Sequence, residues 1–468
     1  MNHYLATMYA ATPTWVQNLI LTGFSARLER ERYGGRYPEF RDLLARTEWL
    51  PHAELQAYQD ERLRAVVAYA YENVPYYRRS FDERKLKPSD IGGREDLTKL
   101  PLLTRDDIRR NFDDLRSRTV SAKALRTGHT SGTTGTPLTV GYDKETVWMT
   151  YAVFDRHYRW ASCKLGRDGN RIAVARGNVI VPLTQRKPPF WRLNSLQHQL
   201  LLSSFHMSKE NLPYYFEELD RFKPEVVDGY PSTLYLLAKF LKSIGRTFPV
   251  RAAITSSETL YDFQRQAIEE SFACRVFDYY ALAERVAFSH ECERHQGHHL
   301  AMEYGFTEIV GDDGEPQPRG SAGKLVSTGL HNLAMPLIRY VTNDVSSLRR
   351  EFCGCGRGLE LMEDVTTKAE DVLTLKDGRM ISPSVLTHPF KPLDSIEGSQ
   401  IVQTAPDAVT VRIVAGSGYH DALTTHLVTE LQARLGQDVR IDVQMVDALE
   451  YSKNGKFKWV ISHVPLGI

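Results

Sequence analysis

Apolar positions along the chain change rhythm twice. Over residues 1–120 they recur at helical spacing, with Leu63, Val66, Val67 and Ala70 on one face of a segment that ends near Asn73-Val74-Pro75. Pro75 ends that helix, and Tyr76 and Tyr77 are expected to pack against the next layer. Thr104, with Asp107 three positions on, predicts the N-cap and acidic first turn of another helix. From about 140 to 330, short apolar runs alternate with helical stretches. Buried strands are predicted at 172–175, at Val226 and Val227, at 252–254 and from Val276-Phe277 onward. Between them, Leu234, Leu237, Ala238 and Leu241 mark one helix face, and a second helix runs to about Phe272. Such alternation predicts a layered α/β domain with a mainly parallel sheet. Ligands of such sheets bind beyond the carboxyl ends of the strands, which makes the polar residues after each run candidate site positions.

After about residue 365 the pattern changes again. Segment 372–375 and Met380-Ile381 flank Lys376-Asp377-Gly378-Arg379, a hairpin signal. Val409, Val411 and Ile413 alternate as a half-buried strand, Leu423, Leu427 and Leu431 mark an amphipathic helix, and 439–446 reads as another strand. These elements predict a small separate α+β domain at the C-terminal end. A chain of 468 residues has room for two or three domains in all.

Charge narrows the partners. With 59 basic against 58 acidic residues, no bulk field draws the chain to nucleic acid or an anionic membrane. No run of about 18 apolar residues could span a bilayer. Leu19-Ile20-Leu21 is too short, and lacks the basic leader, for a signal peptide. Five cysteines do not make a disulfide scaffold. The expectation is a soluble cytoplasmic globular protein.

Four stretches and one Cys/His set carry candidate chemistry. The run Thr130-Ser131-Gly132-Thr133-Thr134-Gly135-Thr136-Pro137 joins hydroxyl donors to glycines that let backbone N–H groups turn toward a phosphate, although by composition it is also an ordinary loop. It lacks the Gly-Lys-Ser/Thr of a Walker loop. Asp278-Tyr279-Tyr280-Ala281-Leu282-Ala283-Glu284-Arg285 follows a predicted strand, and a carboxylate there could hold Mg²⁺ or simply pair with Arg285. The apolar stretch 332–344 ends on Asp344, able to accept both hydroxyls of a ribose. Tyr451-Ser452-Lys453-Asn454-Gly455-Lys456-Phe457-Lys458 sets a lysine after glycine in a basic loop, a pattern that is usually inert. Cys353 and Cys355 lie close in a turn, and Cys292 precedes His295, His298 and His299. Three thiolates and one imidazole make a common tetrahedral zinc set, although a single residue between thiols is unusual and chance clustering is the alternative.

In this order and spacing the segments resemble the core motifs of the adenylate-forming superfamily, and nearly the whole chain resembles its phenylacetate–CoA ligase-like proteins, in particular the capsule-polysaccharide-biosynthesis type. That resemblance implies a large N-terminal domain, with a helical part over 1–120 and a nucleotide- and acyl-binding α/β core over 121–366, then a hinge at 367–371 and a mobile α+β domain over 372–468. It implies ATP phosphates on Thr130, Ser131, Gly132, Thr133, Thr134 and Gly135, the adenine side at Ser257 and Glu258 with Tyr280, and the ribose on Asp344. Glu284 is the implied Mg²⁺ ligand and Lys456 the catalytic lysine. A structural zinc at Cys292, His299, Cys353 and Cys355 is implied too, with His298 or His295 as substitutes. Tyr230, Pro231, Ser232, Arg176 and Ala281 are expected around the acyl group.

The implied reaction joins a carboxylic acid to ATP as an acyl-adenylate, then to the thiol of coenzyme A or, as the alternative, to an amine. A nucleotide-binding relative without catalysis is the reading from another class. Departures motivate it: Thr136 replaces the usual lysine of the phosphate loop, Thr367-Lys368 replaces the hinge Gly-Arg, and Ala281 and Ala283 replace the usual glycine and hydroxyl residue. Lys368 keeps the charge of the hinge arginine but not its bidentate geometry.

Overall fold

The protein is described by a computed structural model covering residues 8–129, 138–311, 313–365, 372–381, 383–390, 393, 395–449 and 459–464. The N-terminal part carries helices α1 (Thr14–Arg32), α2 (Tyr37–Thr47), α3 (His52–Asn73), α4 (Pro75–Glu83) and α5 (Arg105–Arg110). Leu63, Val66, Val67 and Ala70 are buried on one face of α3. Val74 leaves the helix in an extended conformation and Pro75 opens α4, where its missing N–H costs nothing. Tyr77 is buried, donates to the Pro336 carbonyl at 3.0 Å and accepts from the Ile338 N–H at 2.9 Å. The N-terminus of α5 is closed by the Thr104–Asp107 capping box.

A hairpin follows, β1 (Arg126–His129) with β2 (Thr139–Tyr142), and then α6 (Lys144–Trp160). The core next runs through β3 (Ile172–Ala175), β4 (Trp191–Asn194), β5 (Gln199–Leu202), α7 (Leu212–Phe222), β6 (Val226–Gly229), α8 (Pro231–Ser243), β7 (Ala252–Ser256), α9 (Asp262–Phe272) and β8 (Arg275–Ala281). Strands β9 (Phe288–Glu291), β10 (His298–Leu300), β11 (Gly305–Val310), β12 (Gly323–Gly329), β13 (Tyr340–Ser346) and β14 (Leu361–Met362) complete this part.

Nine strands form one sheet in the order β14-β10-β9-β8-β7-β6-β3-β5-β4. Its centre, β5, β3, β6, β7 and β8, is parallel, as the alternation predicts, while β4 at one edge and β9, β10 and β14 at the other run antiparallel. Strands β11, β12 and β13 make a second, antiparallel sheet. The buried Arg339 guanidinium, just before β13, meets Glu308 of β11 at 3.2 and 3.1 Å and donates to the Leu100 carbonyl, tying this sheet to the helical region.

Beyond residue 372 come β15 (Leu373–Thr374), β16 (Met380–Ile381), the short α10 (Pro383–Leu386), β17 (Ile396–Ala405), β18 (Ala408–Ala415), α11 (Asp421–Leu435), β19 (Arg440–Met445) and β20 (Val460–Ser462). Strands β17 to β20 form a separate four-stranded sheet. Leu427, Leu431 and Leu435 of α11 pack into its own core with Ile401, Val411 and Trp459. Arg379 bridges this part to the main core by donating to the Phe205 and Arg434 carbonyls at 2.9 and 3.1 Å.

Candidate active site

A cavity of about 370 Å³ opens beyond the carboxyl ends of β6, β7 and β8. Tyr230 enters it after β6, Ser257 and Glu258 after β7, and Tyr280, Ala281 and Glu284 at the end of β8. Asp344 of β13 forms the opposite wall, and Arg105 at the start of α5 reaches in from the helical region. His129 also lines the cavity and immediately precedes the 130–137 run, while Val365 and Val372 line it on either side of 366–371. Thr130, Ser131, Gly132, Thr133, Thr134, Gly135, Lys368 and Lys456 lie outside the described residues.

At one end the Tyr280 hydroxyl donates to Asp344 Oδ2 at 2.6 Å, and the Asp344 N–H donates to Thr342 Oγ1 at 3.2 Å. Burial, and then the Asp344 carboxylate, hold the Tyr280 phenol well above its ordinary range and keep it a donor. At the other end Glu284 is buried, accepts from the Tyr340 hydroxyl at 2.6 Å and lies 3.7 Å from the Arg105 guanidinium. A buried carboxylate oriented by a phenol suits a hard cation. Ser257 and Arg285 hold left-handed backbone, with φ of 70° and 57°, a conformation that collects at working sites.

The candidates around the acyl group do not share one setting. Glu258 accepts from the Ser232 N–H and hydroxyl, both at 3.0 Å, and so caps α8, which Pro231 opens. Pro231 and Ser232 are thus buried behind the wall that Tyr230 provides. Arg176 donates to Asp228 at 2.9 and 2.5 Å, to Ser256 Oγ at 2.9 Å and to the Tyr279 hydroxyl at 3.0 Å. Its charge is therefore matched by a carboxylate that also takes the Tyr158 hydroxyl at 2.6 Å.

Asp278, His298 and Asp364 also face the cavity. Burial pushes the Asp278 carboxyl up to about 7, against the opposing pull of His298 and of Thr255, whose hydroxyl donates at 2.5 Å. His298 Nε2 stands 3.7 Å from Asp278 Oδ2 and 3.3 Å from Asp364 Oδ1. Sequence reasoning missed Asp364 and Arg105. The absent loop lysine at Thr136 was the one signal, reading as a cationic contact either missing or supplied from elsewhere.

Behind β10, the ligand atoms of Cys292, His299, Cys353 and Cys355 all lie within 4.8 Å of one another. Cys292 Sγ is 3.6 Å from Cys353 Sγ and 3.3 Å from His299 Nε2, which is 3.6 Å from Cys355 Sγ. Bonds of about 2.3 Å to sulfur and about 2.0 Å to nitrogen give tetrahedral edges of about 3.8 and about 3.6 Å. The four residues thus fit zinc. Neither substitute joins them, since His298 turns to the cavity and His295 stands 3.5 Å from Glu291. Neighbouring residues of a strand face opposite ways, which separates His298 from His299.

Residues 373–463 match the family described as the CapK C-terminal domain. Over 353 residues the chain is 30% identical to the phenylacetate–coenzyme A ligase of Thermus thermophilus, an alignment spanning 70% of this chain and 74% of that protein. The chain belongs to the phenylacetate–coenzyme A ligase family. Protein CapK of Staphylococcus aureus is 26% identical over 473 residues, covering 98% of this chain and 99% of CapK. In architecture this family member is similar to a 2-hydroxyisobutyryl-CoA ligase solved with 2-HIB-AMP and CoA, at a TM-score of 0.58 and 20% identity over 89% of this chain and 91% of that one. Among the described residues, no helix of this ligase-family chain is long and apolar enough to cross a membrane.

Proposed function

We propose that this ligase activates a carboxylic acid with ATP as an acyl-adenylate and passes the acyl group to the thiol of coenzyme A. The observation that carries the reading is a single cavity with a diol acceptor, Asp344 beside the Tyr280 hydroxyl, and a buried carboxylate, Glu284, oriented by Tyr340. A carboxylate oxygen attacks the α-phosphorus of ATP and the bond to pyrophosphate breaks, leaving a mixed anhydride from which AMP departs readily. Asp344 takes the ribose hydroxyls, while Ser257, Glu258 and Tyr280 border the adenine. Glu284 would hold Mg²⁺, which would supply positive charge to offset that of the ATP phosphates. Thr130 to Gly135 hold the phosphates, and Arg105 contributes the cation that Thr136 does not.

Lys456 stabilises charge on the transferring oxygens in the transition state. The part from 372 to 468 then turns about 367–371, which includes Lys368, and withdraws Lys456. The coenzyme A thiol attacks the acyl carbonyl, and thioester, AMP and a proton leave. Tyr230 and Ala281 border the acyl group, with Pro231, Ser232 and the Arg176–Asp228 pair behind them. Cys292, His299, Cys353 and Cys355 would hold a structural Zn²⁺, which would supply a cross-link between the sheet and the 353–355 turn. The test is pyrophosphate release across a set of carboxylic acids, followed by mass detection of the thioester with coenzyme A. Product formed with amines but never with coenzyme A refutes the thiol acceptor, and no pyrophosphate with any acid refutes adenylation.

A further inference from the structure

Helix α1 is turned inside out. A surface helix ordinarily buries its apolar stripe and shows water its polar side. Here the polar side faces the protein. Gln17 is 2% exposed, accepts from Arg192 Nε at 2.5 Å and donates to the Tyr9 and Thr12 carbonyls at 3.0 and 2.9 Å. Asn18 Oδ1 accepts the Leu193 N–H at 3.0 Å and Thr22 Oγ1 accepts the Ser195 N–H at 3.2 Å. Strand β4 is the edge of the nine-stranded sheet, so these side chains occupy donors that an edge leaves unpaired. The opposite side of α1 shows Trp15 at 66% exposure, Leu19 at 62%, Ile20 at 45% and Phe24 at 55%, with Met8 at 53% in the preceding segment.

We propose that this outward face docks on an anionic lipid surface, with α1 lying in the plane of the headgroups. The occupant follows from charge. At 100° per residue, Arg27 and Arg30 fall on the same half of the helix as Trp15, Leu19, Ile20 and Phe24. Both arginines are exposed, and neither forms an ion pair among the described residues. No acidic residue precedes Glu29 in the whole chain, and the Glu31 carboxylate is engaged by Arg126. Glu29 falls about 40° outside that half of the helix, so a second copy packed face to face sets guanidinium groups mainly against guanidinium groups, whereas lipid phosphates complement them. Aromatic and aliphatic side chains beside arginines are the composition of helices that lie in a bilayer interface. Insertion across the bilayer is not implied, since the charged and polar residues along α1 leave it insufficiently apolar for a membrane span.

The experiment is co-sedimentation of the full chain with vesicles of mixed phosphatidylglycerol and phosphatidylcholine, against vesicles of phosphatidylcholine alone. Light scattering of the free protein is measured alongside. Binding is expected to the anionic vesicles, reduced at least about tenfold by Leu19→Glu with Phe24→Glu and several-fold by Arg27→Glu with Arg30→Glu. Both variants are expected to keep the unfolding midpoint and pyrophosphate release, because the replaced side chains touch neither core nor cavity. Failure of the wild-type chain to bind anionic vesicles overturns the proposal. So does binding that the arginine variant leaves unchanged, or a wild-type dimer that Leu19→Glu with Phe24→Glu converts to a monomer while vesicles bind nothing.

Discussion

Replacing Tyr340 by phenylalanine removes one oxygen from the middle of the proposed phosphate end and leaves the ring where it packs. Tyr340 is fully buried and its hydroxyl lies 2.6 Å from Glu284 Oε1, a carboxylate itself 4% exposed. A hydrogen bond to a charged group contributes about 1.5–3 kcal/mol net, more than a neutral one, because the buried acceptor cannot turn to water instead. At about 1.4 kcal/mol per factor of ten, that is a loss of roughly 10- to 150-fold if the whole cost falls on the reacting complex. Arg105, 3.7 Å away, keeps some of the carboxylate's orientation and draws the expectation to the lower part of that range. The loss is expected in the Mg²⁺ and MgATP dependence rather than in the carboxylic acid dependence, because Tyr340 acts through Glu284. The assay is pyrophosphate exchange for Tyr340→Phe at graded Mg²⁺, with the acid at saturation. A variant whose Mg²⁺ half-saturation and kcat/KM for MgATP stay within about twofold of wild type refutes both the role of Glu284 and its dependence on Tyr340.

Lys456→Ala should lower pyrophosphate exchange at least about a hundredfold while ATP still binds, as read by calorimetry, because the lysine acts on transition-state charge. Purified protein should carry about one zinc per chain by elemental analysis, and Cys353→Ser should lose the metal and lower the unfolding midpoint, since a closed four-ligand site contributes folding free energy. Asp278, raised to about 7 chiefly by burial, is protonated in the folded chain where the unfolded chain has already ionised. The folded state binds the extra proton between about pH 4 and about pH 7, so this group's stabilisation is complete below about pH 4 and is lost as pH rises through 7. Asp278→Asn should flatten that part of the stability–pH curve, and unfolding midpoints across about pH 4 to about pH 8 check it.

The parallel centre of the main sheet was legible because buried parallel strands write themselves as continuous apolar runs, as in Ile172–Ala175 and Ala252–Ser256. The antiparallel edges were not. Strands β4, β9 and β10 bury Arg192, Asn194, Ser289, His290, Glu291 and His298, whose polar types suggest loops until their partners are known. Arg192 is satisfied by Gln17 and Asp278 N–H by Glu291, contacts no local pattern contains. Within the site, Tyr280, Glu284 and Asp344 could be named through the resemblance to the adenylate-forming motifs, and the thiol set through residue type together with that resemblance. Their orientation could not, because Tyr340 reaches Glu284 across 56 positions and Tyr280 reaches Asp344 across 64. Helix α1 was read as helical without its inversion, since periodicity says which residues share a face but not which way the face points.

Strand β10 ties two otherwise independent chemistries to one alignment. His298 and His299 are consecutive and point to opposite sides of the sheet, one toward Asp278 and Asp364, the other toward Cys292 and Cys355. Sliding β10 by one position against β9, where His299 now faces His290, would turn each imidazole to the opposite face and displace it along the strand. The carboxylate pair could accommodate a displaced imidazole, but a tetrahedral set could not, because it needs a nitrogen within bonding distance of three sulfurs. An ion held there acts as a locating pin for the sheet edge. With the proposed zinc held there, the shape of the proposed nucleotide wall would depend on metal supply during folding as well as on packing, and metal-starved chains should differ from replete ones first in how they hold ATP.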